Sequence, residues 1–94
     1  MKINETIKHL QGQIKLRSLN IADWEKERVL LKASAKHRTE ANDEWAFVAW
    51  RRYHDCKNLV RTLSKQQKIE KNLYKYLLDV RKAVGIFTDE ENHG

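Results

Sequence analysis

The apolar pattern of this chain is clearest in residues 42–63, NDEWAFVAWRRYHDCKNLVRTL. Its apolar residues recur at steps of three and four, the spacing that places side chains on one side of a helix. These residues are Trp45, Val48, Ala49, Tyr53, Cys56, Leu59, Val60 and Leu63. The other side carries aromatic, basic and amide residues: Phe47, Trp50, Arg51, His54, Lys57, Asn58 and Arg61. The segment is therefore predicted to be one helix with a core face and a second, aromatic and basic face.

Residues 3–36 show another helical pattern, with a sustained seven-residue repeat of apolar residues. Such a repeat is typical of a helix packed lengthwise on another helix. The apolar members are Ile3, Ile7, Leu10, Ile14, Ile21, Trp24, Leu31 and Ala35. Arg17 and Arg28 fill two of the apolar places, where their stems can lie along the seam while their charged ends reach its edge. We expect one continuous helix, with a break at residues 18–20 as the alternative.

The turn after this helix is predicted at residues 36–40. Three basic residues begin this segment, and basic side chains favour a helix C-terminus. Thr39 or Asn42 could then cap the next helix with a side-chain oxygen.

The central helix either continues through Ser64 or stops there, because Ser64 and Gln67 have the spacing of a capping box. A last apolar stripe follows at helical spacing: Ile69, Leu73, Tyr76, Leu77, Val80, Ala83, Val84 and Phe87. Gly85 is predicted to cap this last helix, because glycine adopts the left-handed conformation freely.

These patterns predict an all-α protein whose long N-terminal helix packs antiparallel on one or two further helices. The result would be a helical hairpin or three-helix bundle with a coiled-coil-like seam. Residues 1–87 would form a single helical domain, and residues 88–94 an acidic, flexible tail. A hairpin this small leaves apolar surface that a second copy would cover, so we expect a homodimer of four helices.

Composition supports a helical, basic protein. The 94 residues include no proline and three glycines, so little interrupts a helical backbone. The 19 Lys and Arg against 13 Asp and Glu give a net charge of +6, which favours an acidic partner. The single cysteine fits a reducing, cytoplasmic location. With no long apolar run, the sequence predicts neither a signal peptide nor a membrane contact.

The sequence gives no sign of an enzyme, a cofactor or a metal site. It has no glycine-rich phosphate loop and no nucleophile elbow. His54, Asp55 and Cys56 are consecutive, so on a helix they point about 100° apart and cannot form one site. The histidines show no metal-binding spacing and Cys56 has no cysteine partner, so we expect Cys56 to be a small core residue.

Two candidate binding sites remain on the central and last helices. The first is a protein-docking face, because Trp and Arg often dominate interface energies. It comprises Phe47, Trp50, Arg51, His54, Lys57 and Arg61. The second is a basic row that could neutralise the phosphates of nucleic acid. It comprises Lys57, Arg61, Lys65, Lys68, Lys75 and Lys82, and needs a helix that runs on through Ser64.

Arg28, Lys32 and Lys36 form a shorter basic stripe, most simply a solvated helix surface. Among the tyrosines, Tyr53 and Tyr76 lie on core stripes, whereas Tyr74 is expected to point outward. The sequence leaves open whether Phe47 and Trp50 are exposed or packed within the chain.

In size and composition, the chain resembles the small basic helical accessory proteins that bacteriophages use to modify host machinery. The resemblance implies a non-enzymatic inhibitor or adaptor that docks on a protein partner. Docking through the aromatic and basic face is therefore the first functional hypothesis. Nucleic-acid binding along the basic row is the alternative.

Overall fold

The protein is a hairpin of two long antiparallel helices. The computed structural model describes the backbone of residues 2–93 and the side chains of residues 2–85. Helix α1 spans Lys2–Glu40 and helix α2 spans Ala46–His93, with no strand in the described backbone. The molecule is a rod of 79 × 15 × 14 Å. The predicted all-α class and lengthwise antiparallel packing are confirmed, with one helix after the first.

Both helices are unbroken at the places where the sequence left a choice. Helix α1 continues through residues 18–20, as expected. Helix α2 continues through Ser64, so the capping-box alternative is wrong. It also continues past Gly85, whose φ is not positive, so Gly85 does not cap the helix. The side chains of residues 86–94 lie outside the described residues, and the flexible acidic tail at residues 88–94 stays a prediction.

The turn lies at residues 41–45, not at residues 36–40, which form the last turns of α1. Asn42 takes the left-handed conformation, with φ of 54°. Its N–H donates to the Thr39 carbonyl at 3.1 Å, and the Asp43 N–H donates to the Arg38 carbonyl at 2.9 Å. These two bonds make a Schellman motif, which ends a helix by satisfying its last carbonyls. Asparagine substitutes here for the glycine that the sequence lacks.

Asp43, rather than Thr39 or Asn42, caps α2. Its carboxylate accepts a hydrogen bond from the Trp45 N–H at 2.8 Å, and its carbonyl accepts one from the Ala46 N–H at 3.1 Å. The Thr39 hydroxyl instead donates to the Ala35 carbonyl inside α1, at 2.9 Å. Two residues, Ala41 and Asn42, therefore separate the end of α1 from the cap of α2.

A single seam with a seven-residue repeat joins the helices. On α1 the repeat is the predicted one, with Ile7, Leu10 and Ala35 buried. On α2 it begins with Ala49, Tyr53, Cys56 and Val60, all buried. It then continues through residues that the apolar pattern did not select: Gln67, Glu70 and Tyr74, all partly buried.

The last predicted apolar stripe is therefore wrong over much of its length. Ile69 is 68% exposed, Leu73 45% and Tyr76 64%. The two tyrosines exchange roles: Tyr76 lies outward, whereas the Tyr74 hydroxyl accepts a hydrogen bond from Gln11 at 2.7 Å across the seam. A Cβ at Gly12 would meet nothing within 4 Å in the hairpin, so this glycine is not needed for the packing of α1 on α2.

A polar layer interrupts the seam near its middle. Arg17 donates hydrogen bonds to both carboxylate oxygens of Glu70 and, from Nη1, to Gln66 Oε1 at 2.9 Å. The Gln67 side chain donates to the Ile14 carbonyl at 3.3 Å and to the Ser18 hydroxyl. Arg17 does lie along the seam as expected, but with an acidic partner that the sequence alone did not identify.

We predict that Asn42→Val lowers the free energy of unfolding by about 1–2 kcal/mol, because a β-branched residue resists the left-handed conformation. Asn42→Gly should match or exceed the parent. Urea unfolding followed by circular dichroism measures both. Ala41→Val is the matched control, since Ala41 lies in the same turn without a positive φ. Equal losses at both positions would contradict the assignment.

We also predict that Glu70→Ala destabilises the hairpin by about 1–3 kcal/mol, because it leaves the partly buried Arg17 guanidinium without its charged acceptor. The double variant Arg17→Leu/Glu70→Leu should recover the loss, since two packed apolar groups need no partner. Urea midpoints for the single and double variants test this. A double variant as unstable as Glu70→Ala would show that the ion pair does not explain the effect.

Candidate functional site

The unbroken α2 joins the two predicted sites into one straight row of exposed side chains. The row repeats every seven residues, which is two helical turns or about 10.5 Å. Its members are Phe47, His54, Arg61, Lys68, Lys75 and Lys82. We call this the α2 row. Lys57 lies between it and α1, while Arg51 and Lys65 point further away from α1, and all three are exposed.

Helix α1 presents further lysines on the same side of the hairpin. Contacts across the helices establish which side this is. Lys32 places its ammonium 5.9 Å from the centre of the Tyr53 ring, and Trp50 Nε1 donates to Thr39 Oγ1 at 2.8 Å. Lys36 follows Lys32 by four residues, and Lys15 and Lys8 precede Lys36 by 21 and 28 residues, both multiples of seven.

The two helices together form one basic face, which we define by its exposed lysines and arginine. These are Lys8, Lys15, Lys32, Lys36, Lys57, Arg61, Lys68, Lys71, Lys75 and Lys82. Among the described side chains in this register, Glu25 is the one acid. It accepts hydrogen bonds from Arg28 at 2.8 and 3.1 Å, and this pairing raises the pKa of Arg28.

The sequence interpretation included only the α2 half of this face. Lys32 and Lys36 were assigned to an ordinary solvated surface, Lys8, Lys15 and Lys71 were missed, and Lys65 was included although it points away from this face. The missing information was the pairing of the helices, because the two rows become neighbours only when α1 folds back on α2. The seven-residue register of α1 was the one available signal.

Trp50 and Phe47 have different environments, which answers the question that the sequence left open. Trp50 is partly buried, its N–H bonds to Thr39, and its ring meets Tyr53 edge-on at 5.8 Å. Phe47 is 67% exposed and stacks on Trp45, itself 59% exposed, with ring centres 6.3 Å apart. Trp50 thus helps to hold α2 on α1, while Phe47 is available to a partner.

His54 extends the aromatic end of the α2 row. Its ring lies 5.2 Å from that of Tyr53 and 6.3 Å from that of Trp50, and its side chain is exposed. Arg51 is exposed one turn beyond Phe47. Of the predicted docking residues, Trp50 alone is substantially engaged in packing.

Cys56 is a buried core thiol. It is 5% exposed, and its Sγ donates to the Trp24 carbonyl at 3.5 Å. Burial is the main cause that raises the pKa of the Cys56 thiol, and a raised pKa makes the thiol a poor nucleophile. Within residues 2–85, no three His, Cys, Asp or Glu side chains are grouped so as to hold a metal ion.

Neither helix, over the part of the chain that is described, is long and apolar enough to cross a membrane. No protein-family model, curated protein or solved structure gives a significant match to this chain.

We predict that Trp50→Ala lowers the free energy of unfolding by about 2–4 kcal/mol, because it removes packing and leaves Thr39 without its donor. Phe47→Ala should change stability by less than about 0.5 kcal/mol, since the ring is largely exposed. Urea unfolding compares the two aromatic truncations directly. Equal stability of the two variants would contradict the assignment of Trp50 to packing.

Proposed function

We propose that this protein is a non-enzymatic binding protein that holds nucleic acid along its basic face. The observation that carries the proposal is the distribution of charge, because ten exposed Lys and Arg lie on one side of the rod. Glu25 is the one acid among the described side chains in that register, and it is already paired with Arg28. An array of uncompensated cations attracts a polyanion and releases its counterions on binding.

The dimensions of the face suit an extended partner. From Arg61 to Lys82 the α2 row covers 21 residues, or about 32 Å. Lys8 and Lys15 of α1 lie beside the outer part of this stretch, because Gln11 contacts Tyr74 and Arg17 contacts Glu70. Nearly all the cations are lysines, whose flexible stems and point charges suit phosphates without demanding one geometry. We therefore infer binding with little sequence preference, since phosphate contacts carry no base information.

The same features favour nucleic acid over an acidic protein. A protein interface usually depends on a few desolvated aromatic or arginine anchors. Trp50, the best candidate for such an anchor, is engaged by Thr39 and Tyr53. Phe47, at the end of the row, could stack on an unpaired base, and this would favour single strands.

A second candidate function is docking on a protein through the turn end of the hairpin. The observation in its favour is the stacked and exposed pair of Trp45 and Phe47, with Arg51 nearby. Under this hypothesis His54, Lys57 and Arg61 surround the aromatic pair, and the protein acts as an inhibitor or adaptor of host machinery. Either activity fits a cytoplasmic protein, because its one cysteine needs no oxidising compartment.

We predict that Lys68→Glu/Lys75→Glu weakens binding to a DNA duplex of about 20 base pairs by about tenfold or more at moderate salt. The slope of log K against log salt should fall by about two, since each lost phosphate contact removes about 0.9. Fluorescence anisotropy at several salt concentrations measures both quantities. A single strand of the same length, in parallel, tests the stacking role of Phe47.

The matched control is Lys2→Glu/Lys26→Glu. Both lysines are exposed and lie off the basic face, and each Lys→Glu change removes two charges, so both double variants lower the net charge from +6 to +2. Equal losses for the two pairs would mean that bulk charge alone attracts DNA, which would contradict the proposal. An affinity for polyglutamate equal to the affinity for DNA would indicate that the natural partner is an acidic protein. No DNA binding, together with a purified protein partner lost on Phe47→Ala, would favour the second candidate.

A further inference from the structure

The side of the hairpin opposite the basic face carries several large apolar side chains. They lie on both helices and are 36–68% exposed. They are Leu16, Leu30, Leu59, Ile69, Leu73 and Tyr76. We call this the apolar face. Two shallow grooves follow the seam on this side, one lined by Trp24, Leu31 and Leu59 and the other by Leu31, Trp45 and Val48.

Charge does not oppose contact between two such faces. The described Lys and Arg on this side are Lys2, Arg52 and Arg38, which lines a groove there and pairs with Asp43, whereas the acids are Asp23, Glu27 and Asp55. The ten cations of the basic face would repel a second copy brought to that side. Charge therefore favours an approach with the apolar faces together and the basic faces outward.

The solvent-exposed surface area of the hairpin also indicates that a further layer of helices packs on it. The hairpin exposes 7657 Å². A compact monomer of its mass, 11.2 kDa, would expose about 5,700 Å², so roughly 2,000 Å² is in excess. A standard protein interface buries about 800 Å² on each partner. The excess is larger than the area that one partner of a standard interface buries, so the elongated chain has surface enough for a stable dimer.

We propose that the apolar face pairs with the same face of a second copy, giving a four-helix dimer. A shared, self-complementary patch is what a twofold interface requires. Four helices enclose a second core where one hairpin leaves Leu30, Leu59 and Ile69 in water. Trp24, 39% exposed in the single hairpin, becomes covered near the middle of the interface.

The experiment compares Leu30→Glu with Val29→Glu by sedimentation equilibrium. The two residues are adjacent and 65% and 62% exposed, but they belong to different faces of the hairpin, because they point about 100° apart and Val29 lines a groove of the basic face with Lys32 and Tyr53. The parent and Val29→Glu should have twice the mass of 11.2 kDa, and Leu30→Glu should have that mass once. Ile69→Glu, on α2, should behave as Leu30→Glu does.

Thermal unfolding of the parent over a range of protein concentrations covers the case in which Leu30→Glu does not fold. A dimer melts at higher temperature as concentration rises, whereas a monomer does not. Loss of helix in Leu30→Glu, with a concentration-dependent parent and a folded Val29→Glu, would support an obligate dimer through this face. A monomeric parent with a constant melting temperature would overturn the proposal, as would dissociation by Val29→Glu alone.

The proposals of a dimer and of nucleic-acid binding are tested independently of each other. Lys68→Glu/Lys75→Glu changes the basic face and should remain dimeric. At a given protein concentration, its melting temperature should lie within a few degrees of that of the parent. A parent that is dimeric but does not bind DNA would support the interface and contradict the proposed function. A parent that is monomeric but binds DNA would support the function and contradict the interface.

Discussion

The structure depends on a single contact, the lengthwise seam between α1 and α2. The described chain has no third element to cover its remaining surfaces, so side chains outside the seam face solvent. Near the turn the seam is narrow and apolar, with Ala35, Ala49 and Cys56 buried. Small side chains let the helix backbones approach closely there. The seven-residue repeat then fixes which residues fall on each side along the whole rod.

Further from the turn, the seam changes from apolar to polar. Arg17, Glu70 and Gln67 replace the aliphatic residues that would ordinarily fill these places. A paired polar layer adds little stability, but any shift of one helix along the other would separate Arg17 from Glu70 and leave both partly buried groups unpaired. We infer that this layer sets the register of the hairpin, while the apolar ends supply most of its stability. Register in turn decides which lysines of α1 lie beside those of α2.

The same layer explains what the sequence could and could not predict. Helix α1 was predictable because its seam is made of isoleucine and leucine at regular spacing. The second half of α2 was not, because its apolar pattern follows Ile69, Leu73 and Tyr76, which face outward, while polar residues occupy the seam. Periodicity marks an apolar stripe without saying whether this chain or another covers it. The turn was misplaced for a related reason, since Asn42 performs a role that glycine usually signals.

The candidate site shows the same division. Periodicity on α2 alone placed Arg61, Lys68, Lys75 and Lys82 in one row, but only the hairpin brings the lysines of α1 beside them. It also separates Phe47 from Trp50, because the side chain of Trp50 reaches Thr39 in the last turn of α1. A helical wheel of one segment contains neither fact.

The two sides of the rod, taken together, constrain how the protein could work. A lone hairpin would expose apolar side chains along one side at all times, which is a liability in solution. Pairing through those side chains removes the liability and turns the two basic faces in opposite directions, roughly two helix layers apart. A dimer of this kind could hold two segments of nucleic acid at once, and the second contact would gain from the effective concentration that the first provides. The pairing of apolar faces and the charge of the outer faces would then serve one activity, the bridging of two strands or two parts of one strand.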